Sequence, residues 1–387
     1  MTSRLDPAAL SPHYTAFLKP SRVLLTGHSH QAWPDVARAA QLEAFDDAAL
    51  HVDDKWSRAF EAAQAVQRAV ARESVCAPDQ VALGANTHEL VVRFLSALPL
   101  RARPRLVSTA GEFHSIYRQL RRLSEEGVEV VLVAPLPAET LAERLAAAIT
   151  DATAAVLVSS VLFETSSRVP HLATLAERCR ARGVELLVDT YHQFMMAPLG
   201  LAELGPVWAV GGGYKYAQWG EGNCWMVVPS GCTLRPVFTG WFADFGHLAE
   251  TRRAAPVTYG ATLGERFAGA TYDPTSHYRA RAVDAFFTAH AIDSARLEAT
   301  YAAQTQRLYE GLIARGLTVV TPSEPRARGG FLAVALDDAV EVSARLKALG
   351  VFTDARGTRL RFGPAPYLTD DALDAGLSAL DRVLPKA

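Results

Sequence analysis

The feature that most constrains this chain is a repeated alternation: short β-branched apolar runs separated by amphipathic helical stretches. VAL (81–83) precedes a helical stretch at Thr87–Leu98, and LVST (106–109) precedes one from about Ser115 to Glu126. VEVVLV (128–133) leads to a helix near Glu139–Ile149, and AAVLVSSV (154–161) to one from His171 to Arg182. VELLVD (184–189), WAVGGG (208–213) and CWMVVP (224–229) follow. Strands covered by helices on both faces lose the in–out alternation and read as continuous apolar runs, as these do. The order predicts an α/β fold with a mostly parallel sheet flanked by helices. After about Phe245 the texture changes. A helical stretch from roughly Ala280 to Arg315 comes first. LTVVTP (317–322), FLAVAL (331–336) and TRLRFGP (358–364) then alternate with helices near Ala339–Leu349 and Thr369–Leu384, as in a smaller C-terminal α/β domain. The expected division is an N-terminal arm and helix at 1–60 associated with the small domain and the site, a large domain at 61–275, and the small domain at 276–387.

Composition removes several classes of function. With 387 residues, 49% of them hydrophobic, the chain can bury a sizeable core. A formal net charge of -2, with no block of like charges, argues against nucleic acid as a partner. No uncharged apolar run approaches the roughly twenty residues that a membrane span needs, and MTSRLDPAAL has no apolar signal core. Cys76, Cys179, Cys224 and Cys232 show no CxxC spacing and read as free thiols of a reducing compartment. A cytoplasmic location is expected.

Ligands of open α/β sheets sit beyond the carboxyl ends of the strands, so reactive residues there are the candidates. Asp189 and His192 follow VELLVD. An acid at that place can pair with a protonated ring nitrogen and so make a pyridine an electron sink; a plain turn-capping Asp is the competing reading. Lys215 follows an apolar strand and the glycines 211–213, which would let a bulky group approach the backbone. Between Tyr214 and Tyr216, in apolar surroundings, its pKa should fall and its amine become a usable nucleophile; the alternative is a lysine snorkelling from a loop. The chain holds only four other lysines, Lys19, Lys55, Lys347 and Lys386, which makes this one conspicuous. In VALGANTHELVV, Thr87 can cap a helix whose first amides, with Asn86, suit a phosphate, although an ordinary N-cap is the commoner use. Neither GxxxxGK[ST] nor GxGxxG occurs. Arg361 sits on a late strand, where a buried guanidinium would fit a substrate carboxylate, and Arg359 should face the other way. His28 and His30 lack a third ligand of suitable spacing, so no metal is expected. Trp241, Phe242 and Phe245 read as core, with an indole over a ligand as the alternative.

Together, Asp189–His192, Tyr214–Lys215–Tyr216, Gly240–Trp241–Phe242 and Arg361 resemble kynureninase, in the class V aminotransferase group of fold type I pyridoxal-phosphate enzymes. The likeness runs from about Val81 to Pro366, with an echo of the family's Gly-Asn-Ser motif at Gly27–Ser29. The resemblance implies an aspartate-aminotransferase-like large domain that binds pyridoxal 5'-phosphate. It implies that Lys215 carries the cofactor as a Schiff base and moves the substrate α-proton, and that Asp189 pairs with the pyridine nitrogen. Phe113 would stack on the ring, Asn86 and Thr87 would cradle the phosphate, and Tyr214 and His192 would be its hydrogen-bonding neighbours. Trp241 and Thr271 would reach the cofactor phosphate of the partner in a homodimer with shared sites. Arg361 would clamp the carboxylate of an amino acid substrate, with His28 and Ser29 beside it. The implied reaction is hydrolysis of a side-chain Cβ–Cγ bond that leaves alanine, with Tyr214 as a second proton path. Where the family has Gly-Asn-Ser-Leu-Gly, this chain has Gly27-His28-Ser29-His30-Gln31, which crowds or polarises the substrate pocket. Transamination, β-elimination or epimerisation on the same scaffold, and a non-catalytic binding protein, are the other readings. A desulfurase would need a nucleophilic Cys in the loop 321–330, which has none.

Overall fold

The computed structural model of the protein describes residues 3–247 and 256–384. Strand β1 (Val23–Leu24) lies in the N-terminal arm. The central sheet is built from β2 (Val81–Gly84), β3 (Arg105–Thr109), β4 (Glu129–Val133), β5 (Thr153–Ser159), β6 (Glu185–Asp189), β7 (Trp208–Gly212) and β8 (Cys224–Val227). Their spatial order is β2-β8-β7-β6-β5-β3-β4. The neighbours from β4 to β7 are parallel, while β8 runs antiparallel to both β7 and β2. The mostly parallel, helix-flanked sheet expected from the apolar runs is present.

The run AAVLVS reads as continuously apolar because both faces of β5 are covered and every residue of the strand is buried. Ala155 and Leu157 pack with Phe94 and Leu90 of the helix Thr87–Ala97. Val156 and Val158 point the other way, into the core that holds Leu175 and Cys179 of the helix Leu172–Ala181. In chain order the sheet grows outward from β3 to β4, returns to the far side of β3 with β5, then grows in the opposite direction through β6 and β7. The reversal leaves a crevice at the carboxyl ends of β3, β5 and β6, the place where open α/β sheets take ligands.

The smaller sheet contains β9 (Leu332–Ala335), β11 (Asp354–Arg356) and β12 (Arg359–Phe362), antiparallel in the order β11-β12-β9. Strand β10 (Val351–Phe352) pairs in parallel with β1. A further bridge joins Thr26 to Gly363 and brings the arm against the end of β12. The approach is too close for side chains. A Cβ on Gly27 would lie 2.2 Å from the Pro364 carbonyl, and one on Gly363 would lie 2.3 Å from Nδ1 of His28. The arm helices Val36–His51 and Lys55–Ser74 pack on the helix Thr275–Ala289.

Two expectations are corrected. The stretch read as one helix from Ala280 to Arg315 is two, Thr275–Ala289 and Ser294–Ile313. Between them Ala291 has φ 50° and the Asp293 carboxylate accepts the Arg296 amide, an N-cap that begins a new helix. LTVVTP makes no strand. Val319 bridges Val334 alone, and Pro322 has no amide with which to extend the pairing.

Leu157→Ala should cost about 2–5 kcal/mol of stability, because the cavity would open in the middle of the sheet where neighbours cannot close it. Urea unfolding followed by circular dichroism measures the loss; a midpoint equal to the wild type would contradict this account of the core.

Candidate active site

Lys215 follows β7 by three residues and is 6% exposed. The glycines before it are needed, but for a different reason from the one expected: their bulky neighbours are aromatic side chains of the protein. A Cβ on Gly211 would meet the Trp225 ring at 2.4 Å, one on Gly212 the Tyr191 hydroxyl at 2.1 Å, and one on Gly213 the Trp219 ring at 2.5 Å. With the backbone pressed against these rings, the lysine side chain emerges in a cavity of about 320 Å³. Its Nζ lies 2.7 Å from Nε2 of His192 and 4.9 Å from the centre of the Tyr191 ring. Phe113 and Tyr214 stand 5.6 and 5.8 Å from the same atom.

Asp189 ends β6 in register with Ser159, the last residue of β5. Its Oδ1 accepts the Tyr191 amide at 2.8 Å, which fixes the carboxyl at the cavity wall. Burial raises the Asp189 pKa against the opposing pulls of that bond and of the Lys215 charge. Burial lowers the Lys215 pKa to about 7, with Asp189 pulling the other way and Arg361 adding to the fall. His192 is held well below the ordinary histidine range by burial and by the Lys215 charge. Both partners of the Asp189–Lys215 pair are therefore driven toward their neutral forms, and a cation placed beside Asp189 would restore its charge.

Asn86, Thr87, Phe113, Asp189, His192, Tyr214 and Lys215 all line this one cavity. Their capping roles differ from the expected ones. Asn86, not Thr87, is the N-cap: its Oδ1 accepts the Glu89 amide at 2.9 Å and its Nδ2 donates to Glu89 Oε1 at 2.9 Å. The amide side chain is committed, so an anion at this helix end would meet backbone N–H groups of the first turn. Trp241 and Thr271 lie away from the cavity lining and are joined by an indole-to-hydroxyl bond of 2.9 Å, with Trp241 39% exposed. Ser29 donates its hydroxyl to the Thr26 carbonyl in the arm turn. His28 is buried, stacked on Phe331 at 4.5 Å, and burial lowers its pKa to about 3. Phe331 also packs against His192, so His28 sits one ring removed from the lysine's partner. Arg361 is buried while Arg359 is not, as their alternation requires.

The strand-end reading passed over several lining residues. Ser159, Tyr191 and Cys224 border the cavity. Ser159 ends an apolar run as Asp189 does, so the same rule applied to β5 would have found it. Glu112, next to Phe113, accepts the Ser159 amide at 2.9 Å and its hydroxyl at 2.6 Å. Burial pushes this carboxyl up to about 8. Nothing local in the sequence marks it as buried. The larger cavity, about 590 Å³ against Trp56, Phe60, Phe242 and Phe245, contains none of the expected reactive residues. Among the described residues, no group of three or more His, Cys, Asp or Glu could hold a metal ion, and no helix is long and apolar enough to cross a membrane.

Comparison with known structures places the fold. A cystine C-S lyase in complex with cysteine persulfide superposes with a TM-score of 0.81 at 16% identity, over 96% of this chain and 100% of that one. The cysteine desulfurase of Thermococcus onnurineus NA1 gives 0.80 at 14% identity over 99% of both chains. The chain has the fold of these enzymes, a large, mostly parallel sheet flanked by helices. In sequence the chain is similar to kynureninases. The Kynureninase C-terminal domain family matches residues 294–379. The kynureninase of Deinococcus radiodurans is 27% identical over 94% of this chain and 90% of its own length. That of Pseudomonas fluorescens is 30% identical over 59% of this chain and 55% of its own.

The amine of Lys215 should titrate far below lysine's ordinary value of about 10.4. Its folded pKa is depressed, so the reactive neutral amine predominates above about pH 7 and is lost as the pH falls through that value. Competitive acetylation of the ligand-free protein across pH 5–11, read by mass spectrometry, checks it. A midpoint near 10 at this residue would show that its surroundings do not desolvate the amine.

Proposed function

We propose that the protein is a pyridoxal-phosphate-dependent enzyme acting on an amino acid, and that its reaction is kynureninase-like hydrolysis of the side-chain Cβ–Cγ bond with release of alanine. One observation carries the reading: a buried amine, Lys215, shares a single cavity with a strand-end carboxyl, Asp189, and an aromatic wall, Phe113. The cavity fits the cofactor in a second respect. Among the described residues, Nδ1 of His192 is buried there without a hydrogen-bond partner, an arrangement that costs free energy unless a ligand completes it.

Bound there, the cofactor would supply an electron sink for charge developing at the substrate α-carbon. Lys215 would hold its aldehyde carbon and then move the proton at the substrate α-carbon, a task for which an amine with a lowered pKa is suited. Asp189 would keep a proton on the pyridine nitrogen, and His192 would hold Nζ of Lys215 in place. Phe113 and Tyr191 would flank the ring, and the first turn of the helix Thr87–Ala97 would take the phosphate on its amides. Tyr214 lines the same cavity and would pass a proton near the side-chain carbonyl, and Arg361, bonded to the carbonyl of the lining residue Phe163, would bind the carboxylate. Trp241 and Thr271, already bonded to each other, would complete the site of a second subunit in a homodimer.

The solved neighbours named above act on sulfur-containing substrates, but a desulfurase-type relay through a small-domain cysteine has no support here. The last cysteine is Cys232, far before the small-domain strands. Cys224 does reach the cavity, but burial raises its pKa.

The purified protein, given pyridoxal phosphate, should show an absorbance band near the visible edge that is missing in Lys215→Ala. L-kynurenine should yield anthranilate and alanine; exchange between L-alanine and a keto acid without those products would replace hydrolysis by transamination. Asp189→Asn should keep the cofactor but slow turnover by about 10²-fold or more, since the charge partner of the ring nitrogen is gone. Near-normal turnover in that variant would remove the role given to Asp189.

A further inference from the structure

The guanidinium of Arg361 is already engaged. Nη1 donates to the Phe163 carbonyl at 2.9 Å, and Nη2 is ion-paired with Asp354. Asp354 lies directly across the β11–β12 ladder from Arg361, so both side chains leave the sheet on the same face. Two further groups converge on the carboxylate: His28 Nε2 is 3.4 Å from Oδ2, and Arg356 Nε is 3.8 Å from Oδ1. Phe331 closes the cluster, stacked on His28 and 5.6 Å from the guanidinium carbon. Phe163 is itself a cavity-lining residue, so the bond to its carbonyl ties Arg361 to the wall of the lysine cavity. A guanidinium has five N–H donors. Two are used here, and the Nε of Arg361 is buried without a partner among the described residues. Enough donors remain for one bidentate carboxylate, provided that the fork is held still.

We propose that Asp354 is the positioning residue of the substrate-carboxylate site: with the Phe163 carbonyl it locks the Arg361 fork so that its unused donors receive one carboxylate. The inference rests on the reading of Arg361 as the carboxylate-binding residue given above. It adds that the clamp is built from two opposed strands and the N-terminal arm, with Asp354 as the hub. Without Asp354 the guanidinium keeps only one anchor and loses the geometry that makes the two-point contact selective for a carboxylate. His28, which the family motif does not predict, gains a role as the buried ring packed between the hub and Phe331.

The test uses the enzyme reconstituted with pyridoxal phosphate and titrated at equilibrium with L-alanine and with L-alaninamide, which lacks the carboxylate. The change in cofactor absorbance is the readout. Asp354→Ala should weaken L-alanine by about 10–100-fold, the range of one charge-assisted hydrogen bond, and leave L-alaninamide nearly unchanged. Asp354→Asn, which keeps an acceptor, should fall between. With substrate, KM should rise more than kcat falls. Unchanged L-alanine binding overturns the proposal. Tighter binding overturns it too, by showing that Asp354 competes for the fork. Equal losses for both ligands would reduce Asp354 to a general structural role. The proposed function fails separately, if the wild type forms no absorbance band or does not respond to L-alanine. The crystal structure of Asp354→Ala then decides the inference by itself: the Arg361 fork must turn out of its original orientation about the one remaining anchor, the Phe163 carbonyl, and a guanidinium found in its original place refutes the locking role.

Discussion

The structure depends on the removal of one amine from water. Lys215 reaches its cavity because three successive glycines let Trp225, Tyr191 and Trp219 lie on the backbone that precedes it. Those rings exclude solvent, and exclusion lowers the amine's pKa while raising that of Asp189. His192 then holds Nζ at 2.7 Å. Desolvation, the neutral pair and the fixed amine are one effect seen at three atoms. An electrophile entering the cavity meets an amine that sheds its proton far more readily than an exposed lysine does.

The large sheet lines that cavity, and the small sheet reaches its wall through the bond of Arg361 to the Phe163 carbonyl. The parallel strands deliver Ser159, Asp189 and Lys215 from carboxyl ends, where the reversal of strand order leaves room. The antiparallel β11–β12 pair delivers Arg361 already held by Asp354. The arm is tied to the C-terminal strands through the parallel β1–β10 pair and the Thr26–Gly363 bridge, which place His28 against both Phe331 and Asp354. The fold is shared with lyases and desulfurases, whereas the similarity over residues 294–379 is to kynureninases. Fold and reaction are thus separate matters in this protein, as they are in other large folds that host many chemistries.

Much of this was legible in the chain. Apolar runs of strand length marked β3 to β8, because a strand buried on both faces must be apolar throughout. The strand-end rule led to Asp189, His192 and Lys215, since topology places ligands there whatever the family. Where that reasoning fell short, the missing information was nonlocal. Asn86 and Thr87 are adjacent, and only the backbone angles of the finished helix made Asn86 the cap. The break at Ala291–Asp293 was hidden inside a stretch of good helical pattern. The glycines 211–213 were read correctly as sites of close approach, but the approaching groups are side chains of Trp219, Trp225 and Tyr191, well separated from them along the chain.

Sequence by itself determined the class of fold, the identity of the buried lysine and acid, and the absence of any cysteine beyond Cys232 for a sulfur relay. These follow from residue type and short spacing, which the chain carries in every conformation. Tertiary structure alone decided that Glu112 lies behind Ser159, that His28 and Asp354 meet, and that Arg361 is bound on two sides within its own chain. Each of those contacts joins residues brought together by packing. Their energies depend on burial and distance, and neither quantity exists until the two sheets and the arm have closed around the cavity.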